Sequence, residues 1–407
     1  MNPAVERLGG LAVRILGVGL LLTAQPPNRL TAQDYRAQAI RILRTVPLID
    51  GHNDIPGAIR DRGGLDSVNF SVSQPKLMTD IPRLRSGHVG GQFWAAYVPV
   101  TTMDSGAPTR PAVYALEQID LVHRLCSRNP ALALATTAAQ VERNFAAGKI
   151  SCLIGIEGGH AIENSLGALR MFARLGVRYM TLTHWRTLDW AVASTDDSTR
   201  RGLTEFGKQV VLEMNRVGML VDLSHVNDQT MSDAIHTSKA PIMFSHSSVR
   251  ALSGHARNVP DSILKLVPAN GGIVMVNFNP GFVSEAVRTY EDSTNAWSKA
   301  LRAAGADSAT RADSARAWEA RAPHATLAQV ADHIEYLRRI AGVDHVGLGS
   351  DFDGIDFVPQ GLEDVSKFPD LIAELLRRGW TEADVKKVAG LNILRVLREA
   401  ERVARAN

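Results

Sequence analysis

Eight short apolar segments recur along the chain, and stretches with helical periodicity separate them. Each segment is nearly continuous in hydrophobicity, which is typical of parallel strands buried on both faces. Eight alternating strand–helix units predict a single-domain α/β fold of the (β/α)8 TIM-barrel type. The segments are PLID at 47–50, FWAAYVPV at 93–100, CLIGIE at 152–157, RYMTLTH at 178–184, MLVDLSH at 219–225, PIMFSH at 241–246, GGIVMVNF at 271–278 and HVGLGSDF at 345–352.

An open, doubly wound sheet is the alternative architecture. It is disfavoured because no G-x-G-x-x-G turn follows the first strand, as a dinucleotide-binding version would require. The helical stretches include 115–128 and 203–218, and Gly218 is a helix stop just before the fifth strand. The barrel is expected to occupy residues 31–402.

One segment departs from the alternation. Residues 283–325 are rich in Ala, Arg, Asp and Ser and poor in large aliphatic side chains. This composition predicts an exposed helical insertion between the seventh strand and its helix. Three interpretations of this segment stay open: a lid, part of a subunit contact, or an exposed segment without a functional role.

The first 24 residues resemble a secretory signal peptide. Arg7 and Arg14 precede an apolar run from Ile15 to Ala24, which is too short to span a bilayer. We therefore expect cleavage after Ala24 and export to the periplasm or the medium, with no integral membrane anchor in the mature chain. An uncleaved anchor or a wrongly assigned start is the alternative. The net charge of +3 gives no electrostatic support to nucleic-acid binding.

The chain has two cysteines, Cys126 on a predicted helix and Cys152 at the start of a predicted strand. Export would permit a disulfide. Because both positions fall in buried elements, we expect two buried free thiols.

Histidines and acidic residues end or directly follow six of the eight apolar segments. They are His52, Asp54, Glu157, His184, His225, His246 and Asp351. In a barrel, the carboxyl ends of all strands meet at one rim. Ionised carboxylates are costly to bury without a partner, and a metal ion is the strongest partner available. The sequence therefore predicts a metal site at this rim.

The donor set contains nitrogen and oxygen but no thiolate, which suits zinc, with manganese, iron or cobalt as alternatives. It exceeds what one catalytic zinc uses, so we expect two ions that share one carboxylate. His52 and Asp54 are two positions apart, and the period of an extended strand would place both side chains on one face, where they can bind one ion.

These segments resemble the membrane (renal) dipeptidase family, a branch of the metal-dependent amidohydrolases. The resemblance runs from about residue 36 to residue 400. It is carried by LIDGHNDIP, LIGIEGGHAI, YMTLTHW, VDLSHV, FSHSSVRALSGHARNVPD, VGLGSDFDG and GLEDVSKFPDLIAELLRRGWTEADVKKVAGLNILRV.

The resemblance implies two Zn²⁺ ions per chain. His52 and Asp54 would hold one ion and His225 and His246 the other, with Glu157 as the bridge. The substrate would be a dipeptide with a free C-terminal carboxylate, of L-L or L-D configuration, cleaved by a hydroxide between the ions. A homodimer is compatible with this assignment.

The resemblance also assigns three residues to the substrate. Asp351 would carry the proton from the attacking water to the departing amine, and His184 would stabilise the oxyanion. Arg257 would pair with the substrate carboxylate; a surface ion pair is its alternative role. Asp353 is the rival of Asp351 for proton transfer.

Other features of the sequence limit or qualify the assignment. His160 and His255 lie in rim loops, where we expect supporting roles. WRTLDWA, at 185–191, departs from the family pattern beside the substrate, and the anchor signal and extra cysteines of the animal enzymes are missing. Two other functions stay open: another binuclear amidohydrolase acting on small amides or lactams, and a non-catalytic binding protein on the same barrel.

Overall fold

Nine parallel strands form one sheet, and eight of them close it into a barrel. Closure occurs where β2 pairs with both β1 and β4, while β1 pairs with β9. The strands are β1 Leu48–Asn53, β2 Val89–Tyr97, β3 Leu132–Leu134, β4 Ile150–Glu157, β5 Val177–Thr181, β6 Leu220–Asp222, β7 Met243–Phe244, β8 Ile273–Val276 and β9 Val346–Leu348. The predicted (β/α)8 barrel is confirmed.

The coordinates are a computed structural model, which describes residues 31–196, 201–305, 307, 308, 318 and 320–406. The predicted signal peptide at 1–24 and part of the 283–325 insertion lie outside these residues. Within the described ranges, no helix has both the length and the apolar character needed to cross a membrane.

Helices surround the barrel and connect its strands. They are α1 Ala32–Leu43, α2 Ile55–Asp61, α3 Ile81–Ser86, α4 Pro111–Arg128, α5 Ala138–Ala146, α6 Leu166–Arg174, α7 Glu205–Val217, α8 Asp228–Thr237, α9 Asp261–Leu264, α10 Val267–Asn270, α11 Pro280–Val283, α12 Glu285–Ala303, α13 Leu327–Ala341, α14 Phe368–Arg377, α15 Glu382–Lys386 and α16 Asn392–Arg405. Local sequence explains their ends. In α7, the Thr204 side chain accepts from the Gly207 amide at the start, and Gly218 is left-handed at the end.

Two apolar layers hold the barrel together. Ile49, Phe93 and Leu153 belong to one cluster, which joins residues of the strands to residues of α5 and α16. Their chain neighbours Leu48, Trp94 and Ile154 belong to the larger cluster between the sheet and the helices. Because successive strand residues point to opposite faces, every central strand must be apolar on both sides, which explains the continuous apolar segments.

The observed elements differ from the predicted ones at several ends. All eight predicted strands are present, but β7 has only two residues, Met243 and Phe244. The short β3, which pairs with the first residues of β4, was not predicted, because three residues give no periodic signal. The predicted insertion is helical where α12 lies between β8 and α13, and of the residues of α12 only Val287 is buried.

The expectation of free thiols is wrong. Cys126 on α4 and Cys152 on β4 form a disulfide, and their Cα atoms are 6.6 Å apart. Both residues are buried, as expected. However, α4 packs on β4 so that the two thiols face each other, a relation that a separation of 26 residues does not reveal.

We expect the double substitution of Cys126 and Cys152 by alanine to lower the free energy of unfolding by about 3 kcal/mol, because the crosslink restricts the unfolded chain. Denaturant unfolding of both proteins measures the difference. The fold should persist at 25 °C, since both sulfurs lie within one α4–β4 contact. Equal stability of the two proteins, with the wild-type disulfide shown intact by mass spectrometry, would contradict this expectation.

Candidate active site

All eight residues predicted to form the site lie at the carboxyl end of the barrel. His52 is in β1, Asp54 follows it, and Glu157 is the last residue of β4. The others lie in loops that follow later strands: His184 after β5, His225 after β6, His246 and Arg257 after β7, and Asp351 after β9. All are buried except Asp351, which is partly exposed.

Glu157 lies at the centre of the cluster, and its two oxygens face different groups. Oε2 is 3.6 Å from His52 Nε2. Oε1 is 2.9 Å from His225 Nε2 and 3.4 Å from His246 Nε2. Glu157 therefore presents one oxygen to each side of the cluster.

His52 and Asp54 approach each other, although not by the predicted route. His52 Nε2 is 3.2 Å from Asp54 Oδ2. The extended backbone ends at Asn53, and Asp54 has φ −94° and ψ 18° as the residue preceding α2. The predicted strand geometry, in which alternate residues share one face, therefore does not extend to Asp54. The side chains meet because the chain turns into the helix.

A tyrosine orients His52. The Tyr179 hydroxyl of β5 lies 2.8 Å from His52 Nδ1. Tyr179 is fully buried in the barrel, and a Cβ atom on Gly155 would overlap its ring. A glycine at 155 is thus needed for the ring to reach His52. We did not identify Tyr179 from the sequence, and its only signal was a phenol in an otherwise apolar strand.

A second set of hydrogen bonds, from Asp222 through Ser245, orients His246. Ser245 Oγ lies 2.5 Å from Asp222 Oδ2 and 2.7 Å from His246 Nδ1. Because the serine proton is donated to Asp222, the Nδ1 proton of His246 is donated to Ser245. His246 Nε2 then presents a lone pair towards Glu157. Asp222 and Ser245 were also missed, since a polar residue inside a short strand segment does not show its partners.

The electrostatics of the cluster keep Glu157 ionised and divide the imidazoles. Burial alone would lower the pKa of His52, but Tyr179 and the carboxylates of Asp54 and Glu157 raise it well above the usual histidine value. Burial lowers the pKa of His225 and His246 well below the usual histidine value. Burial alone would raise the pKa of Glu157, but the surrounding imidazoles, His52 and His184 foremost, hold it well below its usual range. Neutral imidazole and ionised carboxylate are the forms that bind metals.

Two of the site residues occupy strained backbone. His225 has φ 75° and Asp351 has φ 68°, a region that non-glycine residues rarely adopt. Such conformations cost energy and concentrate at functional sites. At Asp351 the turn brings Oδ1 to 3.9 Å from His52 Nε2, and Asn277 Nδ2 donates to Oδ2 at 2.9 Å. Burial raises the pKa of Asp351 to about 8, so this carboxyl can exchange a proton near neutral pH.

Asp353, the rival of Asp351, is directed elsewhere. Its Oδ1 accepts from the Met78 amide at 2.8 Å. It lines the cleft but does not join Asp351, His52 and Asp54 in the group of possible metal-binding residues.

Arg257 is 1% exposed, so it is not part of a surface ion pair. Its guanidinium donates to Ser247 Oγ and to the His246 carbonyl, both at 3.3 Å. Its Nε has no hydrogen-bond partner, and no carboxylate of the described residues forms an ion pair with it. Burial lowers its pKa to about 10, which leaves it charged at neutral pH. A buried cation without an anionic partner is suited to an anionic ligand.

The site opens into a cleft of about 450 Å³. Its lining includes Asp54, Glu157, His184, His225, Arg257 and Asp351, together with Tyr97, Trp185 and Phe282. His184 Nε2 is 3.7 Å from Glu157 Oε1, and burial lowers the pKa of His184 to about 4. The two histidines that were expected to support the site from rim loops lie in different surroundings. His160 borders a neighbouring cleft, and His255 packs on Phe282.

The donor atoms fit a metal cluster. Three overlapping groups of three residues each bring their possible ligand atoms within 4.8 Å of one another. They are His52, Glu157 and His246; Glu157, His184 and His225; and His52, Asp54 and Asp351. His52 Nε2 is buried and makes no hydrogen bond, despite the nearby Asp54 oxygen. A ring nitrogen left in this way among carboxylates is suited to ligate a cation once it is deprotonated.

Comparisons with known proteins identify the family. The family model for membrane dipeptidase, peptidase family M19, matches residues 36–407. The chain belongs to the membrane dipeptidase family. Dipeptidase 3 of Rattus norvegicus is 40% identical over 375 residues, covering 90% of this chain and 68% of the relative. Dipeptidase 3 of Mus musculus is equally similar, with 67% of the relative covered.

Solved structures share the fold. The probable dipeptidase PvdM from Pseudomonas aeruginosa superposes with a TM-score of 0.78 at 22% identity, over 91% of this chain and all of that one. A metallo peptidase from Rhodobacter sphaeroides, liganded with a phosphinate mimic of L-Ala-D-Ala, has a TM-score of 0.68 at 27% identity, over 87% and 99% of the two chains. With these relatives and its cluster of metal-binding groups, the M19 protein is a metallo-dipeptidase.

Proposed function

We propose that this M19 protein is a binuclear zinc dipeptidase that cleaves dipeptides with a free C-terminal carboxylate. The observation that carries the proposal is the divided carboxylate of Glu157, whose two oxygens face His52 on one side and His225 and His246 on the other. His52 and Asp54 would hold one ion, and His225 and His246 would hold the second. Bound zinc supplies Lewis acidity, which polarises the scissile carbonyl and makes a nearby water more acidic.

The protein's own groups position and protonate the substrate. Arg257 binds the C-terminal carboxylate through its planar guanidinium. His184 donates its ring N–H to the carbonyl oxygen as negative charge develops there. Asp351 accepts a proton from the attacking water and delivers it to the nitrogen of the breaking C–N bond, so that the amine departs neutral.

Both L-L and L-D dipeptides are proposed as substrates. The Rhodobacter sphaeroides enzyme, at 27% identity, binds a mimic of L-Ala-D-Ala. In this chain Arg257 binds the carboxylate rather than the side chain, so both configurations at the C-terminal residue can present that group.

Metal analysis and substrate profiling test the proposal together. Purified protein should contain two zinc ions per chain, and it should hydrolyse a matrix of L-L and L-D dipeptides but not their C-terminal amides. Removal of metal by a chelator should abolish activity, and zinc should restore it. Hydrolysis of amides or lactams without activity on dipeptides would overturn the proposal in favour of another amidohydrolase activity.

We also propose that the protein is exported. The disulfide between Cys126 and Cys152 supports this, because such bonds persist in oxidising compartments and are rare in the cytosol. Cell fractionation, with N-terminal sequencing of the exported form, should find the mature chain beginning after Ala24. A full-length chain in the cytosol with reduced cysteines would contradict export.

Ser245 should contribute to metal affinity without touching the metal. Replacing it with alanine breaks the link from Asp222 to His246, and loss of such an orienting contact typically weakens metal binding about 10- to 100-fold. Chelator competition measures the dissociation constant directly. Ser253→Ala is the matched control, because that buried hydroxyl donates only to the Gly281 carbonyl. Equal metal affinity in both variants would argue against an orienting role for the hydrogen bonds from Asp222 through Ser245 to His246.

A further inference from the structure

We propose that Trp185 determines specificity for the side chain of the substrate's C-terminal residue, which it binds as an apolar wall. This inference rests on the dipeptidase function proposed above. Trp185 is 42% exposed, and it lines the cleft that contains Glu157 and Arg257. A large apolar surface left exposed inside a binding cleft is available for a ligand.

Contacts with the imidazoles hold the indole in place. Its ring lies edge-to-face on His225, with centroids 5.0 Å apart and an interplanar angle of 82°. It makes a similar contact with His184, at 5.3 Å and 68°. These are favourable aromatic geometries, so the exposed face of Trp185 has a defined position beside the reacting groups.

Arg257 relates the indole to the substrate. The guanidinium carbon lies 6.0 Å from the Trp185 ring and 5.3 Å from the Phe282 ring. A carboxylate on Arg257 is therefore bound beside two aromatic rings. In the C-terminal residue of a dipeptide, a single carbon separates the carboxylate from the side chain. That side chain must then lie close to these rings.

The two rings are not equivalent. Phe282 is 5% exposed, so it offers little further surface, and its other contacts include the His255 ring at 4.4 Å. Trp185 has the larger free face. The cleft lining also includes the charged side chains of Asp61, Arg62 and Asp356, but the surface beside Arg257 comes from the two aromatic rings. The chemistry of this subsite therefore fits aliphatic and aromatic C-terminal side chains.

The test compares kcat/KM for L-Ala-Gly, L-Ala-L-Leu and L-Ala-D-Leu in the wild type and in Trp185→Ala. We expect the variant to lose about 10- to 100-fold on the better leucine substrate, chiefly through KM, because apolar contacts of this size discriminate by that factor. L-Ala-Gly has no side chain to contact the indole, so its kcat/KM should change less than about threefold. Trp185→Phe should recover most of the preference for leucine.

Controls separate this inference from the proposed function. Phe357→Ala removes another exposed aromatic side chain, 62% exposed, from the loop after β9 without altering the lining of the cleft, and it should leave the leucine-to-glycine ratio unchanged. Metal content measured in every variant shows whether the cluster is intact. Equal losses on leucine and glycine substrates, with full metal content, would overturn the role of Trp185 alone. A wild type that hydrolyses none of these dipeptides would overturn the dipeptidase proposal itself.

Discussion

Glu157→Gln is expected to bind at most one metal ion per chain and to lose turnover by about 10³-fold or more. An amide offers one neutral oxygen where the carboxylate divides two between His52 and the pair of His225 and His246. Metal-ion catalysis is worth several kcal/mol, and each 1.36 kcal/mol corresponds to a factor of ten in rate. Elemental analysis and steady-state kinetics of the purified variant measure both effects.

Glu163→Gln is the matched control for this experiment. It makes the same change in the loop that follows β4, where Glu163 pairs with Arg110 outside the metal cluster. This variant should keep both ions and near wild-type turnover. Circular dichroism should show that both variants are folded. A Glu157→Gln protein with two ions and full activity would refute the bridging role.

Asp351→Asn is expected to retain both metal ions while turnover falls by about 10²- to 10⁴-fold, the usual contribution of general acid–base catalysis. The substitution isolates proton transfer, because asparagine tolerates the left-handed backbone at 351 and its oxygen can still accept from Asn277. Metal analysis together with kcat on a dipeptide gives the answer.

Asp353→Asn provides the comparison, since Asp353 has the same backbone region, with φ 65°, but is directed to the Met78 amide. It should lose much less activity. Wild-type turnover in Asp351→Asn would eliminate the proton-transfer role. Loss of metal from that variant would instead make Asp351 a ligand, which its distance of 3.9 Å from His52 Nε2 makes a concrete alternative.

Much of the site could be located from the sequence because its residues follow strands. Parallel strands in a barrel end at one rim, so histidines and acids at the ends of six of the eight apolar segments identify that rim without any distance being known. This reasoning located Glu157, His225 and His246, which the fold brings within hydrogen-bonding range of one another. It failed in detail at Asp54, where the predicted strand geometry gives way to a helix start.

The groups that orient the site could not be located in the same way. Tyr179 and His52 are 127 residues apart in the chain. In the sequence, a tyrosine within an apolar strand segment cannot be distinguished from an ordinary core residue. Ser245 adjoins His246, but its partner Asp222 belongs to the neighbouring strand. Such hydrogen bonds depend on the register between strands, and no local pattern specifies that register.

The sequence by itself determined the barrel, the helical character of the segment after β8 and the rim where the polar residues collect, because hydrophobic periodicity and strand ends are local properties of the chain. Only the tertiary structure decided that Cys126 and Cys152 are bonded, that Arg257 is buried with no anionic partner among the described residues, and that Trp185 lies beside it. These relations join segments remote in the chain, and they arise only when the packing of helices on strands sets the distances between their side chains.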